Sequence, residues 1–345
     1  MTAATTPPID LRSDTVTRPT PAMRKVMAEA EVGDAVFHDD PTVNRLEAVI
    51  AERLGLESAI FVPSGTMGNQ LGIGALSRAG DVVLCPELAH VARWEGGGAA
   101  ASFGVNLVQI HGEEGLPHLA DYERHVYGAH PKAPVVSAMT LENTHNWAGG
   151  RAFPARAIGV RIAWAKAHGL AVHIDGARIF NAAQATHDSV QDLVRGADCV
   201  SVCFSKGLGA PIGSALVGRK EVIARADRLK HRLGGAMRQA GILAAAALYA
   251  LDHHVARLGD DHARAKALAD ILVKSGVGQP LHVIETNIVQ FAIAERFGSA
   301  NELCQRAKDK GLLFFPTGAR TARLVTHLDL DDAAVARAGK IFAEL

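Results

Sequence analysis

The sequence predicts an α/β protein, with a large domain on a mostly parallel, doubly wound sheet and a smaller C-terminal α+β domain. Three observations predict it. Between residues 58 and 220, short apolar runs alternate with helix-like stripes or Gly/Pro turns, the rhythm of βαβ units. Two of those runs, Leu170-Ala171-Val172 and Cys199–Phe204, are continuous in apolar and β-branched residues, as suits strands covered on both faces. After residue 220 the pattern changes to long helix, and then to a mixture of short strands and helices. The expected division is an N-terminal arm at 1–20, a large domain at 21–245 and a small domain at 246–345.

Pro7, Pro8 and Pro19, with little periodicity between them, read as an extended arm. Thr20-Pro21 supplies an N-cap and an N1 proline for a first helix carrying Met23, Val26, Met27 and Ala30. Asp40-Pro41 starts a second, with a stripe of Val43, Leu46, Val49, Ile50 and Leu54 closed by Gly55. Candidate strands follow at Ala59–Val62, Val82–Leu84, Leu107–Ile110, Val135–Leu141, Leu170–Ile174, Cys199–Phe204 and Ser214–Val217. A helical pattern from Leu243 runs through Val273. The last seventy residues read as strand Ile288–Phe291, helix Asn301–Lys310, strands Leu312–Phe315 and Arg323–His327, and a terminal helix.

Composition excludes several classes. With 48% apolar and 21% charged residues the chain is no disordered polymer. Lys+Arg and Asp+Glu balance at 36 each, so nothing argues for a nucleic-acid partner or an acidic membrane surface. Residues 1–9 lack the basic and apolar regions of a targeting segment, and Ala240 to Leu251 is too short to span a bilayer. A reducing, cytoplasmic location is the expectation. Cys85, Cys199, Cys203 and Cys304 form no metal-binding pair, and Cys199 and Cys203 share strand parity as small core side chains. No metal site is expected.

The chemistry lies at strand ends. His173-Ile174-Asp175-Gly176-Ala177-Arg178 and Ser205-Lys206-Gly207-Leu208-Gly209 each follow a buried run, so Asp175 and Lys206 face one crevice, where open α/β sheets bind ligands. An aspartate that keeps a pyridine nitrogen protonated and a lysine that forms an imine are the minimum equipment for pyridoxal 5′-phosphate chemistry. Pro63-Ser64-Gly65-Thr66-Met67-Gly68-Asn69 opens a helix after the first sheet strand. Its backbone N–H groups and the Ser64 and Thr66 hydroxyls make a phosphate cradle, or simply a helix cap. Arg178 lies on the crevice side, where its fork suits a phenolic oxygen or a carboxylate. His90 follows another strand end as a ring-stacking group or a base. Arg238 and Arg323 are candidate anion clamps.

Taken in order, these segments resemble the L-threonine aldolase family of low-specificity type, in the β-eliminating-lyase branch of fold-type-I pyridoxal phosphate enzymes. The resemblance runs from Ile9-Asp10-Leu11-Arg12-Ser13-Asp14-Thr15 through Asp40-Pro41-Thr42-Val43-Asn44, Val62-Pro63-Ser64-Gly65-Thr66-Met67 and Leu141-Glu142-Asn143-Thr144-His145-Asn146. It continues through Asp175-Gly176-Ala177-Arg178-Ile179-Phe180-Asn181 and Ser205-Lys206-Gly207-Leu208-Gly209 to Arg323-Leu324-Val325-Thr326-His327. It implies an aspartate aminotransferase-like large domain. It also implies retro-aldol cleavage of L-threonine, L-allo-threonine and related β-hydroxy-α-amino acids to glycine and an aldehyde. By the same resemblance, Lys206 carries the Schiff base, Asp175 holds the pyridine nitrogen, and His90 stacks on the ring and acts as base or orients a water. Gly65, Thr66 and Arg238 take the phosphate, and Ser13, Arg178 and Arg323 grip the substrate carboxylate. A homotetramer is implied, with sites shared between subunits. Other fold-type-I reactions, β-elimination or transamination, use the same lysine and aspartate, and a non-catalytic binding protein is the alternative from outside the enzymes.

Some positions depart from the family pattern. Val36-Phe37-His38-Asp39-Asp40-Pro41 stands where Val-Tyr-Gly-Glu/Asp-Asp-Pro is usual, replacing a phenol and adding an imidazole. His231 takes a usual lysine position, Ala236 the third glycine of a run, and Trp94 the place of a smaller aromatic. His130 is the counterpart to the family's second active-site histidine, in a segment of different length.

Overall fold

A computed structural model describes residues 7–126 and 130–345. Its centre is a seven-stranded sheet of β2 (Ser58–Val62), β3 (Val82–Pro86), β4 (Asn106–Ile110), β5 (Val136–Glu142), β6 (Ala171–Asp175), β7 (Cys199–Cys203) and β8 (Ser214–Gly218); β1 (Ile9–Asp10) precedes it in the chain. The sheet order is β2-β8-β7-β6-β5-β3-β4, and only β8 runs against the rest. Each matches an apolar run of the sequence to within a residue or two.

Alternation along each strand explains the two covered faces. Val82, Leu84, Val172, Ile174, Val200 and Val202 pack into one core with helices Pro41–Leu54, Ala155–Ala167 and Gly241–His253. Val83 and Cys85, or Cys199 and Leu216, meet helices on the other face, including Gly65–Leu76 and Lys220–Arg232. Close packing there needs Gly72, because a Cβ at that position would lie 2.6 Å from His173 Nδ1.

A second sheet, β12-β13-β10-β9, is formed by β9 (Gly278–Pro280), β10 (Ile288–Ile293), β12 (Phe315–Pro316) and β13 (Thr321–Val325), all antiparallel. Helices Leu258–Lys274, Ala300–Asp309 and Asp332–Ala343 cover it, and Ile9 and Leu11 from the chain start enter the same core. No helix among the described residues is long and apolar enough to cross a membrane.

Three local features differ from the sequence reading. The start of the chain is more structured than an extended arm: β1 pairs in parallel with β11 (Leu312–Leu313), and Asp14–Val16 forms a 3-10 turn. Leu312–Phe315 is two short strands rather than one, since buried Phe314 turns the chain from β1 toward β13. The long pattern from Leu243 to Val273 is two helices, Gly241–His253 and Leu258–Lys274. Buried His254 breaks it, its Nδ1 reaching the Leu208 carbonyl at 2.7 Å.

Candidate active site

The chain passes from β3 to the sheet edge at β4, then returns to the other side of β3 as β5. That reversal opens a crevice at the carboxyl ends of β3, β5, β6 and β7. Four chemistry-bearing side chains come from those ends: His90 after β3, Glu142 on β5, Asp175 on β6 and Lys206 after β7. Together with Ser13, Thr15, Thr144, Asn146, Ala177, Arg178 and Arg323 they line an open cavity of about 150 Å³.

Asp175 is buried and well held. Its Oδ1 accepts the Ala177 amide at 3.0 Å, and its Oδ2 accepts Asn69 Nδ2 at 2.7 Å. Burial opposes its ionisation, but the nearby charges of His90 and Lys206 prevail and hold its pKa below the ordinary value. The main-chain carbonyl of Lys206 accepts from Thr17 Oγ1 at 3.2 Å and from the Gly209 amide at 2.8 Å, so backbone contacts set the turn that presents the amine. A Cβ on Gly209, at φ +78°, would strike Leu328 at 2.7 Å, which reserves that turn for glycine.

The two arginines differ in charge compensation. Arg178 is buried and donates Nε and Nη2 to Asp14 at 2.7 Å each, a bidentate pair that Asn287 extends with a 3.1 Å bond to Asp14. Arg323 has no carboxylate partner among the described residues. Its Nη1 donates to Asn146 Oδ1 at 3.2 Å, its Nη2 reaches the Arg12 carbonyl at 3.5 Å, and its Nε is buried with no partner among the described residues. Burial first, and then repulsion from Arg178, bring its pKa down to about 10. An underpaired guanidinium in a cavity wall is equipment for an incoming anion.

The Asp14–Arg178 pair also fastens the chain start to the sheet. Burial resists a charged Asp14, but Arg178 outweighs it and keeps the carboxyl well below its usual range. A depressed folded pKa gives stability that is present above the ordinary value of 3.8 and lost as pH falls through the lower, folded value. Asp14→Ala, which strands a buried guanidinium, is expected to cost about 3–5 kcal/mol in denaturant unfolding at neutral pH.

Other predicted residues lie around this cavity rather than in its lining. Ser64 caps helix Gly65–Leu76, accepting the Met67 amide at 3.2 Å, so the N–H groups of Gly65 and Thr66 stay outside the helix ladder. The helix start lies close to the site: a Cβ on Gly65 would be 2.5 Å from Cys203 Sγ, and Asn69 one turn on reaches Asp175. Arg238 is elsewhere in this chain. It is half-exposed, paired with Asp34 at 3.0 Å and placed 5.9 Å from the Phe37 ring. Phe37 is 69% exposed, His38 caps the same turn in the left-handed region, and His231 is exposed. Trp94 packs on Trp147 with ring centres 5.1 Å apart, beside the cavity residue Asn146. His130 is exposed and accepts the Lys132 amide.

Several site residues escaped sequence reasoning. Asp14, Glu142 and Asn146 stand inside the segments that carried the resemblance, and Asn69 closes the phosphate-cradle segment, but each only as a position in a motif. Glu142 holds two loops together, accepting the His90 amide at 2.7 Å and the Asn146 amide at 2.8 Å. Glu95 follows Trp94 with no motif around it.

Residues 10–294 match the family described as Beta-eliminating lyase. The chain belongs to that family. It is 43% identical over 344 residues to an Arabidopsis thaliana protein named "Probable low-specificity L-threonine aldolase 2", covering 97% of this chain and 96% of that one. It is 38% identical over 323 residues to the low specificity L-threonine aldolase of Escherichia coli K12, covering 93% and 94%. Among solved structures, a Leishmania major threonine aldolase superposes with a TM-score of 0.83 at 20% identity, covering 97% of this chain and 98% of that one, a likeness of fold.

Proposed function

We propose that this chain is a pyridoxal phosphate-dependent aldolase that cleaves L-threonine, L-allo-threonine and related β-hydroxy-α-amino acids to glycine and an aldehyde. The observation that carries the reading is the meeting of Lys206, an ionised Asp175 and the underpaired Arg323 on one cavity. The donor set fits the cofactor. An amine and a buried carboxylate share the crevice, and a helix start with free N–H groups lies beside it.

Bound there, the cofactor supplies an electron sink for the bond that breaks at the amino acid's Cα. Lys206 offers the amine that holds it, and Asp175 keeps a negative charge for the ring nitrogen. Gly65 and Thr66 offer amides for the phosphate. Arg323 and Ser13 take the substrate carboxylate, with Arg178 held beside them by Asp14. Fixing that carboxylate orients the scissile bond, a contribution of the positioning kind. His90 keeps Nδ1 on Glu95 at 2.8 Å, which leaves Nε2 as the ring nitrogen that exchanges a proton with the β-hydroxyl, directly or through a water.

The finer organisation belongs to the same proposal. The chain acts as a cytoplasmic homotetramer in which Arg238 serves the site of a second copy, consistent with its distance from its own cavity. The domains at 21–245 and 246–345 are its working units, with helix Gly241–His253 spanning their boundary and the start of the chain, at 1–20, leading into them.

Incubation with threonine diastereomers and product analysis tests the reaction: glycine plus acetaldehyde supports it, and pyruvate with ammonia, or a keto acid, refutes it. Arg323→Ala removes a charge-assisted contact of about 1.5–3 kcal/mol, so kcat/KM is expected to fall roughly tenfold to a hundredfold, mainly through KM. Steady-state kinetics on the Arg323→Ala and wild-type proteins separates the two parameters.

A further inference from the structure

Glu95 is buried, and among the described residues every polar contact of its side chain lies within the site. Oε1 faces His90 Nδ1 at 2.8 Å and accepts Asn69 Nδ2 at 2.7 Å, while Oε2 accepts Gln70 Nε2 at 2.5 Å. Asn69 Nδ2 gives its other hydrogen to Asp175 Oδ2 at 2.7 Å. Asn69 Oδ1 accepts from Ser201 Oγ and, at 3.0 Å, from His173 Nε2. An amide offers two donors and two acceptor sites, and here all four are used, so Asn69 has a single orientation. His173 then carries its hydrogen on Nε2, and burial, pushing its pKa down to about 4, keeps that ring neutral.

We propose that Glu95 is a positioning residue. On one side it fixes the His90 ring through Nδ1, and on the other, through Asn69, it fixes the Asp175 carboxylate. Two groups from different strand ends are thereby set relative to one another before any ligand arrives. The functional meaning rests on the cofactor site proposed above, whereas the linkage among the side chains stands by itself.

The charges facing His90 are Glu95, Asp175, Lys206 and Glu142, the last on its backbone amide. Burial works against the imidazolium, but the Glu95 bond and the Asp175 charge outweigh burial and Lys206, so its pKa lies above the ordinary 6.5. Glu95→Gln keeps the shape and removes the charge. Gln70 Oε1, buried without a partner among the described residues, can turn to accept from the new amide, which gives the variant a route to the same packing.

The experiment is a histidine-labelled NMR titration of the cofactor-free full chain, with the His90 signal assigned by its loss in His90→Asn. The His90 midpoint is expected to fall in Glu95→Gln and to fall less in Glu95→Asp, which keeps the charge one methylene further away. Equilibrium binding of pyridoxal phosphate to Glu95→Gln is expected to weaken about tenfold. A His90 midpoint at the wild-type value in whichever variant folds overturns the proposal. Because the titration uses neither cofactor nor substrate, its failure leaves the proposed reaction standing, and a failed reaction leaves the titration interpretable.

Discussion

Lys206→Ala is expected to abolish glycine release from L-threonine, a loss of at least about 10³-fold in kcat, since removing a covalent nucleophile is among the largest single losses an enzyme suffers. The visible absorbance of the pyridoxal phosphate complex is expected to vanish with it. Folding is expected to survive, because the turn at Lys206 is held by bonds to its main-chain carbonyl from the Thr17 hydroxyl and the Gly209 amide, and alanine retains that carbonyl. Circular dichroism and denaturant unfolding check that point. Retained glycine release by a folded Lys206→Ala protein would falsify the assignment.

Asp175→Asn is expected to lower kcat by about 10²–10³-fold, the size of effect found when a group aimed at developing charge is removed. Two donors already point at this carboxylate, the Ala177 amide and Asn69 Nδ2. A carboxamide has one oxygen for them, so its NH₂ must face one donor, and the site loses a hydrogen bond as well as a charge. The unpaired donor adds about 1–3 kcal/mol of destabilisation. Activity and unfolding measured on the same preparation separate the two effects, because a wholly structural role predicts that kcat recovers under stabilising conditions. Near-normal kcat in a folded Asp175→Asn chain would remove Asp175 from the electrostatics of the reaction.

The sheet was legible because most of its strands are buried on both faces and so read as largely apolar runs, the half-exposed edge strand β4 being the exception. Strand ends then placed His90, Asp175 and Lys206 together with no further information. What stayed hidden depends on packing between distant segments. Asp14 meets Arg178 across 164 positions, and no periodicity marks that pairing. Asn69 reaches Asp175 only because Gly72 lets its helix lie close against His173. Glu95 is a single acid after a tryptophan, and its worth appears only when Asn69, Gln70 and His90 converge on it. The helix break at His254 was equally silent, since the carbonyl that draws its ring away belongs to Leu208. Arg238 illustrates the converse. A motif position marked it for phosphate, yet within one chain it is paired to Asp34.

The central claim is that the ε-amine of Lys206 is the attachment point of the cofactor opposite Asp175. Its most direct test is to load the protein with pyridoxal phosphate, reduce it with borohydride, digest it and locate the phosphopyridoxyl group by mass spectrometry. The group is expected on the peptide containing Ser205-Lys206-Gly207 and absent from it in Lys206→Ala. Labelling of another lysine instead, or no stable labelling at all, would contradict it.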